Sequence, residues 1–300
     1  MKKSILSFTI ILIFQFIIFS SFGQDKDKQD KKVFPFGLIE EIDSKELSEK
    51  RTLNIYLPQG YHSDSATIYP VIYVLDGSQY EDFPHIAGLA QFMNMYEILP
   101  KSIVVGISNL GRSRYRDFTY PSDDKQDLKA IPNNGGSEKF MNYIENEVMP
   151  LIEKNYKTST HKTIIGQSLG GLLATEILFK KPYLFDDYVI VSPSLWWDNQ
   201  KMVRKANNFL KNLSKNTTER KKENSNYERK IFVSLGKEHP VMHKVADKLV
   251  DSIKKLEETK NKTIHLFYEP ILDQNHATIL HLAAYKAFEN FYKKKEENKK

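Results

Sequence analysis

The chain has 300 residues, of which 40% are hydrophobic and 12% aromatic, and this composition predicts one sizeable globular domain or at most two. It contains no cysteine, which excludes disulfide bonds, thiol catalysis and metal sites with cysteine ligands. The formal net charge of +6 is spread over 44 basic and 38 acidic residues, so it gives no indication of nucleic-acid binding.

The first 23 residues have the layout of a secretory signal peptide. Lys2 and Lys3 form a basic start, an apolar stretch runs from Ile5 to Phe19, and small residues precede Gly23. A membrane anchor is the alternative, but it needs about 20 apolar residues, and polar side chains interrupt this shorter run. We therefore expect cleavage near Gly23, export to the periplasm or the cell exterior, and no stable membrane insertion of the mature chain.

The remaining chain consists of a charged lead, one domain and a charged tail. Residues 24–34 are predicted to be a disordered lead, and residues 294–300 a solvated tail. The domain spans residues 35–293. Within it, residues 212–230 are strongly polar, and we interpret them as an exposed loop.

Strand and helix patterns alternate along the domain. Two strands with a polar connection occupy GLIEEIDSKELSEKRTLNIYLP, and apolar strands follow at 69–77, 102–108, 163–167, 187–192, 231–236 and 263–269. Helical patterns lie at 81–97, 136–155, 169–180, 199–213, 239–257 and 278–293. This alternation predicts an α/β fold with a mostly parallel sheet and helices on both of its faces.

One serine stands between glycines where a predicted strand meets a predicted helix. Ser168 lies in IIGQSLGGLLA, at the centre of the pattern Gly166-Gln-Ser-Leu-Gly170. A G-x-S-x-G motif in a strand–turn–helix setting is typical of a nucleophile elbow, in which the serine hydroxyl projects from a strained turn. A glycine-rich connection with Ser168 as a helix cap is the alternative, and the setting favours the nucleophile.

A serine nucleophile needs a base to take its proton, and the chain has eight histidines. In this architecture the base follows the last core strand. His276 lies in a polar loop after the strand at 263–269 and before the final helix, whereas His265 and His281 lie inside a strand and a helix. We therefore predict that His276 is the base.

The acid that orients the base should follow the strand at 231–236. Glu238 is at that position, 38 residues before His276. Asp273, three residues before His276, is the alternative. A carboxylate on Nδ1 would hold the imidazole in the tautomer that accepts a proton from serine.

The oxyanion of the reaction needs backbone N–H donors. The helix that begins at Leu169 offers one of them, since the first N–H groups of a helix have no partner within it. The second donor is expected in the loop after the strand at 69–77, on Ser78 or Gln79.

No metal or organic cofactor is predicted. His239 and His243 are four residues apart on a predicted helix, which is a spacing that can bind zinc. No HExxH glutamate or third ligand accompanies them, so a solvated helix face is the preferred interpretation. A Ser–His mechanism needs no cofactor.

Several stretches resemble the putative-esterase family of α/β-hydrolases, and within it the branch that hydrolyses ferric enterobactin and salmochelin. They include RTLNIYLPQGY, YPVIYVLDGSQY, GRSRYRDFTYP, IIGQSLGGLLATEILFKKPYLFDDYVIVSPSLWWD and DQNHATI, and the resemblance runs from about residue 35 to 293. It implies an α/β-hydrolase fold with Ser168 as nucleophile and His276 as base. Some siderophore-type members are similar in having a Ser–His pair without a clear carboxylate, so a dyad is the alternative to a triad with Glu238.

Basic residues mark the loop that follows the strand at 102–108. Arg112 and Arg114 in GRSRYRD are expected at the sheet edge that carries the active site, where they could bind an anionic ester such as a catecholate. The alternative is a solubilising loop in which Arg116 pairs with Asp117.

Two tryptophans, Trp196 and Trp197, follow the strand at 187–192 on the same edge. We expect one of them to face the cleft, where it could stack on a ring of the substrate.

Three functions remain open: a secreted esterase of siderophore-type esters, a carbohydrate esterase that removes acetyl or feruloyl groups, and a non-catalytic protein that binds a ligand. The expected partner is a small-molecule or glycan ester, and the oligomeric state is open.

Overall fold

The computed structural model describes residues 34–109, 111–259 and 263–292. The chain divides into two compact units, Met1–Phe36 and Gly37–Lys300. Only residues 34–36 of the first unit are described, and every element below belongs to the second. The predicted signal peptide, the lead up to residue 33 and the tail at 294–300 lie outside the described residues.

An eight-stranded sheet runs through the second unit in the order β1-β2-β4-β3-β5-β6-β7-β8. The strands are β1 (Leu38–Ser44), β2 (Glu49–Tyr56), β3 (Tyr69–Leu75), β4 (Ile103–Ile107), β5 (Thr158–Gln167), β6 (Asp187–Val191), β7 (Arg229–Ser234) and β8 (Ile264–Tyr268). β2 is antiparallel to both of its neighbours, and all pairs among β3 to β8 are parallel. The prediction of a mostly parallel sheet is confirmed.

Helices connect the parallel strands. They are α1 (Phe83–Met95), α2 (Ser113–Asp117), α3 (Lys125–Ala130), α4 (Ser137–Tyr143), α5 (Met149–Asn155), α6 (Leu169–Lys180), α7 (Trp197–Arg204), α8 (Ala206–Glu223), α9 (Pro240–Thr259) and α10 (Ile279–Tyr292), with a π-helical turn at Ile144–Val148. The short helices α2 and α3 lie where the sequence predicted none. Over the described ranges, the chain forms no helix that is both long and apolar enough to cross a membrane.

The interpretation of residues 212–230 as a loop is wrong, because α8 extends to Glu223 and β7 begins at Arg229. The buried residues of α8 are Ala206, Leu210, Leu213 and Thr217. They follow a helical spacing of three to four residues, so this helix buries one narrow stripe and exposes the rest. Because the rest of this helix is polar, the average composition of the segment does not reveal the buried stripe.

Arg229, the first residue of β7, explains why this polar helix is fixed. Its side chain is fully buried, and the guanidinium donates to Oγ1 of Thr217 at 3.1 Å on α8. It also donates to the carbonyl oxygens of Pro182 at 2.7 Å and Phe185 at 2.9 Å. A buried charge is tolerated where its hydrogen bonds are satisfied, and these partners tie α8 to the sheet.

The centre of the fold is the helix α6, which packs on the sheet over the strands β5 and β6. α6 is buried from Leu169 to Phe179, and all five residues of β4 and of β6 are buried. Such strands are covered on both faces, which is the arrangement of an α/β hydrolase fold. Since β3 to β8 are parallel, their carboxyl ends meet at one edge of the sheet, and the loops at that edge carry the predicted site residues.

Candidate active site

Ser168 occupies the turn between β5 and α6, with φ 58° and ψ −118°. A residue other than glycine with positive φ is strained, and strain of this kind costs about 1–3 kcal/mol. A Cβ on Gly166 would lie 2.3 Å from the carbonyl oxygen of Gly170, so the strand and the helix approach more closely than any side chain allows. This strained serine between a closely packed strand and helix has the backbone geometry that the sequence predicted for the turn.

Backbone contacts hold Ser168 in this conformation. Its N–H donates to the carbonyl oxygen of Val191 at 3.0 Å, and its own carbonyl accepts from the N–H of Ser194 at 3.0 Å. The Ser168 hydroxyl lies 3.4 Å from the hydroxyl of Ser194. The end of β6 and the residues after it therefore support the turn.

His276 and Glu238 lie together, as the predicted base and acid should. Nδ1 of His276 is 2.9 Å from Oε1 and 3.0 Å from Oε2 of Glu238. The Glu238 carboxylate also accepts a hydrogen bond of 2.6 Å from the Ser192 hydroxyl. Asp273, the alternative acid, is exposed. Of the two candidates, Glu238 is the one that contacts the imidazole.

The loop that carries His276 is fastened to the elbow. The side-chain amide of Gln167, the residue before Ser168, donates to the carbonyl oxygen of His276. Among the described residues, the Ser168 hydroxyl forms no hydrogen bond with the His276 imidazole. Hydrogen bonds between catalytic groups are often long in the free enzyme and shorten when the substrate binds.

The two predicted oxyanion donors after β3 differ in their contacts. The N–H of Ser78 donates to Oε2 of Glu81 at 3.0 Å, and the Ser78 hydroxyl accepts from the N–H of Tyr80 at 3.1 Å. These bonds close the turn from Ser78 to Glu81 and occupy the Ser78 N–H, so the prediction of Ser78 as the second oxyanion donor is wrong. Gln79 is exposed, and it remains a candidate beside the N–H of Leu169.

Arg114, which was predicted to bind an anionic substrate, is already paired with a carboxylate of the protein. Its guanidinium holds the Asp76 carboxylate with two bonds, from Nε to Oδ1 at 2.7 Å and from a terminal nitrogen to Oδ2 at 2.8 Å. Asp76 has φ 54° and directly follows β3. The ion pair therefore stabilises the start of the predicted oxyanion loop, which is the loop after β3 that carries Ser78 and Gln79. The assignment of Arg114 to substrate binding is corrected accordingly.

Burial raises the pKa of the Asp76 carboxyl, although the hydrogen bonds and the charge of Arg114 oppose the shift. Burial also raises the pKa of Asp82 to about 7, with further contributions from the negative charges of Asp76 and Glu81. These carboxyl groups lie around the predicted oxyanion loop. The loop thus carries acidic groups that are costly to ionise.

The other two arginines of this segment have different surroundings. Arg116 donates to Asp117 at 2.7 Å, which is the pairing that the alternative interpretation predicted. It also donates to Glu49 at 2.6 Å, a contact that was not predicted. Arg112 is exposed, and within the described ranges it forms no ion pair. Of the two arginines assigned to substrate binding, Arg112 alone keeps a free charge there.

The tryptophans separate into a core residue and a surface residue. Trp197 is completely buried, and its indole N–H donates to the carbonyl oxygen of Tyr120 at 2.8 Å. Its assignment to the substrate is wrong, because no face of the ring is accessible. Trp196 is 37% exposed and packs edge-on against Trp197, with ring centroids 6.0 Å apart. It is the residue that could contact a ligand.

The histidine pair at 239 and 243 is engaged in local contacts. His243 lies 3.0 Å from the carbonyl oxygen of Gly236 through Nε2, and Nδ1 of His239 accepts from the N–H of Val241 at 3.3 Å. The described ranges contain no group of three or more metal-binding side chains placed to hold an ion.

Ser192 and Ser194 were not among the site residues predicted from the sequence. They flank Pro193 directly after β6, and one contacts Glu238 while the other contacts Ser168. Their position after a parallel strand, at the edge that carries the site, is the signal that could have identified them.

The family described as Putative esterase matches residues 44–277. The chain belongs to this family. Ferri-bacillibactin esterase BesA of Bacillus subtilis (strain 168) is 31% identical over 182 residues, which are 56% of this chain and 63% of that protein. The siderophore triacetylfusarinine C esterase of Aspergillus fumigatus is 32% identical over 144 residues, 47% of this chain and 44% of that protein. Each match thus covers less than two thirds of the relative's length.

Solved structures show the same fold. An IroE-like serine hydrolase from Shewanella oneidensis has a TM-score of 0.72 and 26% identity, over 86% of this chain and 80% of that one. The BES protein from Bacillus cereus has a TM-score of 0.71 and 26% identity, over 86% of this chain and 95% of that one.

Proposed function

We propose that the chain is a serine esterase that cleaves carboxylic esters through an acyl-enzyme. The observation that carries this proposal is the strained Ser168 turn beside the His276–Glu238 pair. Membership of the Putative esterase family supports it. A protein that only binds a ligand has no need of a strained serine and a paired histidine at one sheet edge.

In the proposed mechanism each of these groups has a role. The Ser168 hydroxyl attacks the ester carbonyl while Nε2 of His276 takes its proton, and Glu238 holds the proton on Nδ1. The N–H groups of Leu169 and Gln79 stabilise the oxyanion. The imidazolium then protonates the leaving alcohol. Water, deprotonated by His276, attacks the acyl-enzyme, which releases the acid and restores the serine.

The test is the purified protein with a short-acyl chromogenic ester. Ser168→Ala should reduce hydrolysis to background while the protein stays folded, because no acyl-enzyme can form. A fluorophosphonate should add one label to the parent and none to Ser168→Ala, as measured by intact mass. Ser252→Ala on α9 is the matched control, since among the described residues its hydroxyl bonds only to the carbonyl oxygen of Lys248, one turn earlier. Parent-level turnover by Ser168→Ala would overturn the proposal.

We propose further that the preferred esters are anionic and aromatic, as in catecholate siderophores. The names of the two relatives support siderophore esters as the substrate class. The choice of an anionic aromatic ester within that class rests on Arg112 and Trp196. The exposed Arg112 and Trp196 belong to loops at the active-site edge, where they offer a cation and a ring face. The test compares kcat/KM for a ferric catecholate trilactone with release of acetate from acetylated xylan. Preference for xylan would make the chain a carbohydrate esterase.

Export is also proposed, on the layout of residues 1–23. Expression of the full chain followed by fractionation and N-terminal sequencing tests it. A mature protein that begins near Gln24 outside the cytoplasm is expected, and an intact N-terminus on a cytoplasmic protein would contradict export.

A further inference from the structure

Ser192 has a backbone conformation that is unusual for a residue other than glycine. It directly follows β6, its φ is 41°, and it is completely buried. Its N–H donates to the carbonyl oxygen of Ser234 at 2.8 Å, which fixes it to β7. Strain of this kind persists where the surrounding structure imposes it, and it is concentrated at functional sites.

The side chain of Ser192 has one hydrogen-bond partner in the part of the chain that the structure describes. That partner is Oε1 of Glu238, at 2.6 Å. The same oxygen lies 2.9 Å from Nδ1 of His276. A carboxylate held by the imidazole alone could rotate about its last bond, whereas a second donor on a rigid backbone fixes its plane. A hydrogen bond to a charged acceptor is about twice as strong as one between neutral groups.

The residues after Ser192 reach the nucleophile. The N–H of Ser194 donates to the carbonyl oxygen of Ser168 at 3.0 Å. Pro193 packs so closely on α6 that a Cβ on Gly171 would lie 3.0 Å from its Cα. The segment 192–194 thus contacts the acid at one end and the nucleophile turn at the other.

We propose that Ser192 is a positioning residue of this site, which acts on the reaction by orienting Glu238 toward His276. The proposal rests on the proposed esterase function. Ser192 touches neither the substrate nor the reacting atoms, and its effect passes through the carboxylate.

The test is a double-mutant cycle on a neutral chromogenic ester. Ser192→Ala should lower kcat about tenfold and leave KM within about twofold, since an interaction with a charged group is lost from the transition state. In a Glu238→Ala background, Ser192→Ala should lower kcat by less than about twofold, because the group it orients is gone. A merely structural serine would cost the same factor in both backgrounds, and that result would overturn the proposal.

Two further variants keep the result interpretable. Ser192→Gly removes the same hydroxyl but tolerates the positive φ, so it should show the same loss of kcat in a folded protein. Ser234→Ala removes another buried hydroxyl on β7, which donates to the carbonyl oxygen of Glu269 at 2.7 Å, and it should show no coupling to Glu238→Ala. If Ser168→Ala is inactive but Ser192→Ala lowers kcat by the same factor with and without Glu238, the positioning role fails while the esterase proposal stands.

Discussion

The Glu238 carboxylate faces Nδ1 of the His276 imidazole with both of its oxygens, at 2.9 Å and 3.0 Å. The carboxylate is 5% exposed, whereas the imidazole is 44% exposed. A carboxylate on Nδ1 selects the tautomer that carries its proton there, which leaves Nε2 free to accept one. The loops after β7 and β8 therefore present one oriented imidazole toward solvent.

Glu238→Gln should lower kcat strongly in a folded protein. The amide can favour the wrong imidazole tautomer, and in a well-studied triad the comparable loss is on the order of 10⁴-fold. Steady-state kinetics on a chromogenic ester provide the measurement, and Asp273→Asn provides the control. A loss below about tenfold for Glu238→Gln would mean that the site works as a Ser–His dyad.

Arg112 and Arg114 should have separable effects on substrate choice. Arg112→Gln should reduce kcat/KM for a ferric catecholate about tenfold and leave a neutral acetyl ester unchanged, because only the anion interacts with this charge. Arg114→Gln should impair both esters, since it releases the Asp76 carboxylate.

Paired kinetics on the two esters in high and low salt provide the measurement for this prediction. Added salt should reproduce part of the Arg112 effect in the parent, since exposed charges are screened beyond roughly 8–10 Å. Equal losses on the charged and neutral esters for Arg112→Gln would remove its role in anion binding.

The two tryptophans should differ in what their loss affects. Trp197→Ala should lower the free energy of unfolding by about 3–5 kcal/mol, because it leaves a cavity and an unpaired Tyr120 carbonyl. Trp196→Ala should leave stability within about 1 kcal/mol and raise KM for aromatic esters. Denaturant unfolding and kinetics on matched aromatic and aliphatic esters check this. A KM unchanged for aromatic esters in Trp196→Ala would exclude ring stacking there.

Asp82 should make the protein less stable as the pH rises. The pKa of its carboxyl is about 7 in the folded protein against an ordinary value of 3.8. The folded state therefore binds this proton more tightly than the unfolded state, and stability falls between these two pH values. Asp82→Asn removes the titration, and no capping hydrogen bond is lost with it, since the Asp82 side chain makes none to α1.

The gain in Tm of Asp82→Asn over the parent should therefore increase from pH 5 to pH 8, with most of the increase below pH 7. Thermal unfolding across that range checks it, and Asp123→Asn, at an exposed carboxylate, is the control. A gain that does not change with pH would show that Asp82 titrates at its ordinary pKa.

Local patterns predicted the frame of the fold. Strands such as β4 and β6 are buried along their whole length, and a continuous apolar run in the sequence is what produces that signal. The turn at Ser168 was predictable for the same reason, since the strand, the glycines and the helix are adjacent in the chain. The positions of His276 and Glu238 after two further strands followed from the order of the elements.

Partners that are distant in sequence could not be predicted in the same way. Arg114 was assigned to substrate because nothing near it in the chain reveals that Asp76, 38 residues earlier, meets it. Neighbouring tryptophans have the same local pattern, and only packing decides that Trp197 is buried and Trp196 exposed. The second half of α8, after residue 213, was missed because the contact that stabilises it is made by Arg229 on another element.

The parts of the candidate site come together only across long stretches of chain. His276 meets Glu238 over a separation of 38 residues and Gln167 over 109. Contacts between distant segments form slowly, because loop closure costs entropy before the contact stabilises anything. No single helix or hairpin contains a working fragment of the site. Recovery of ester hydrolysis during refolding would therefore report the joining of β5, β7 and β8 into one sheet, and far-ultraviolet signals from local helices would precede it.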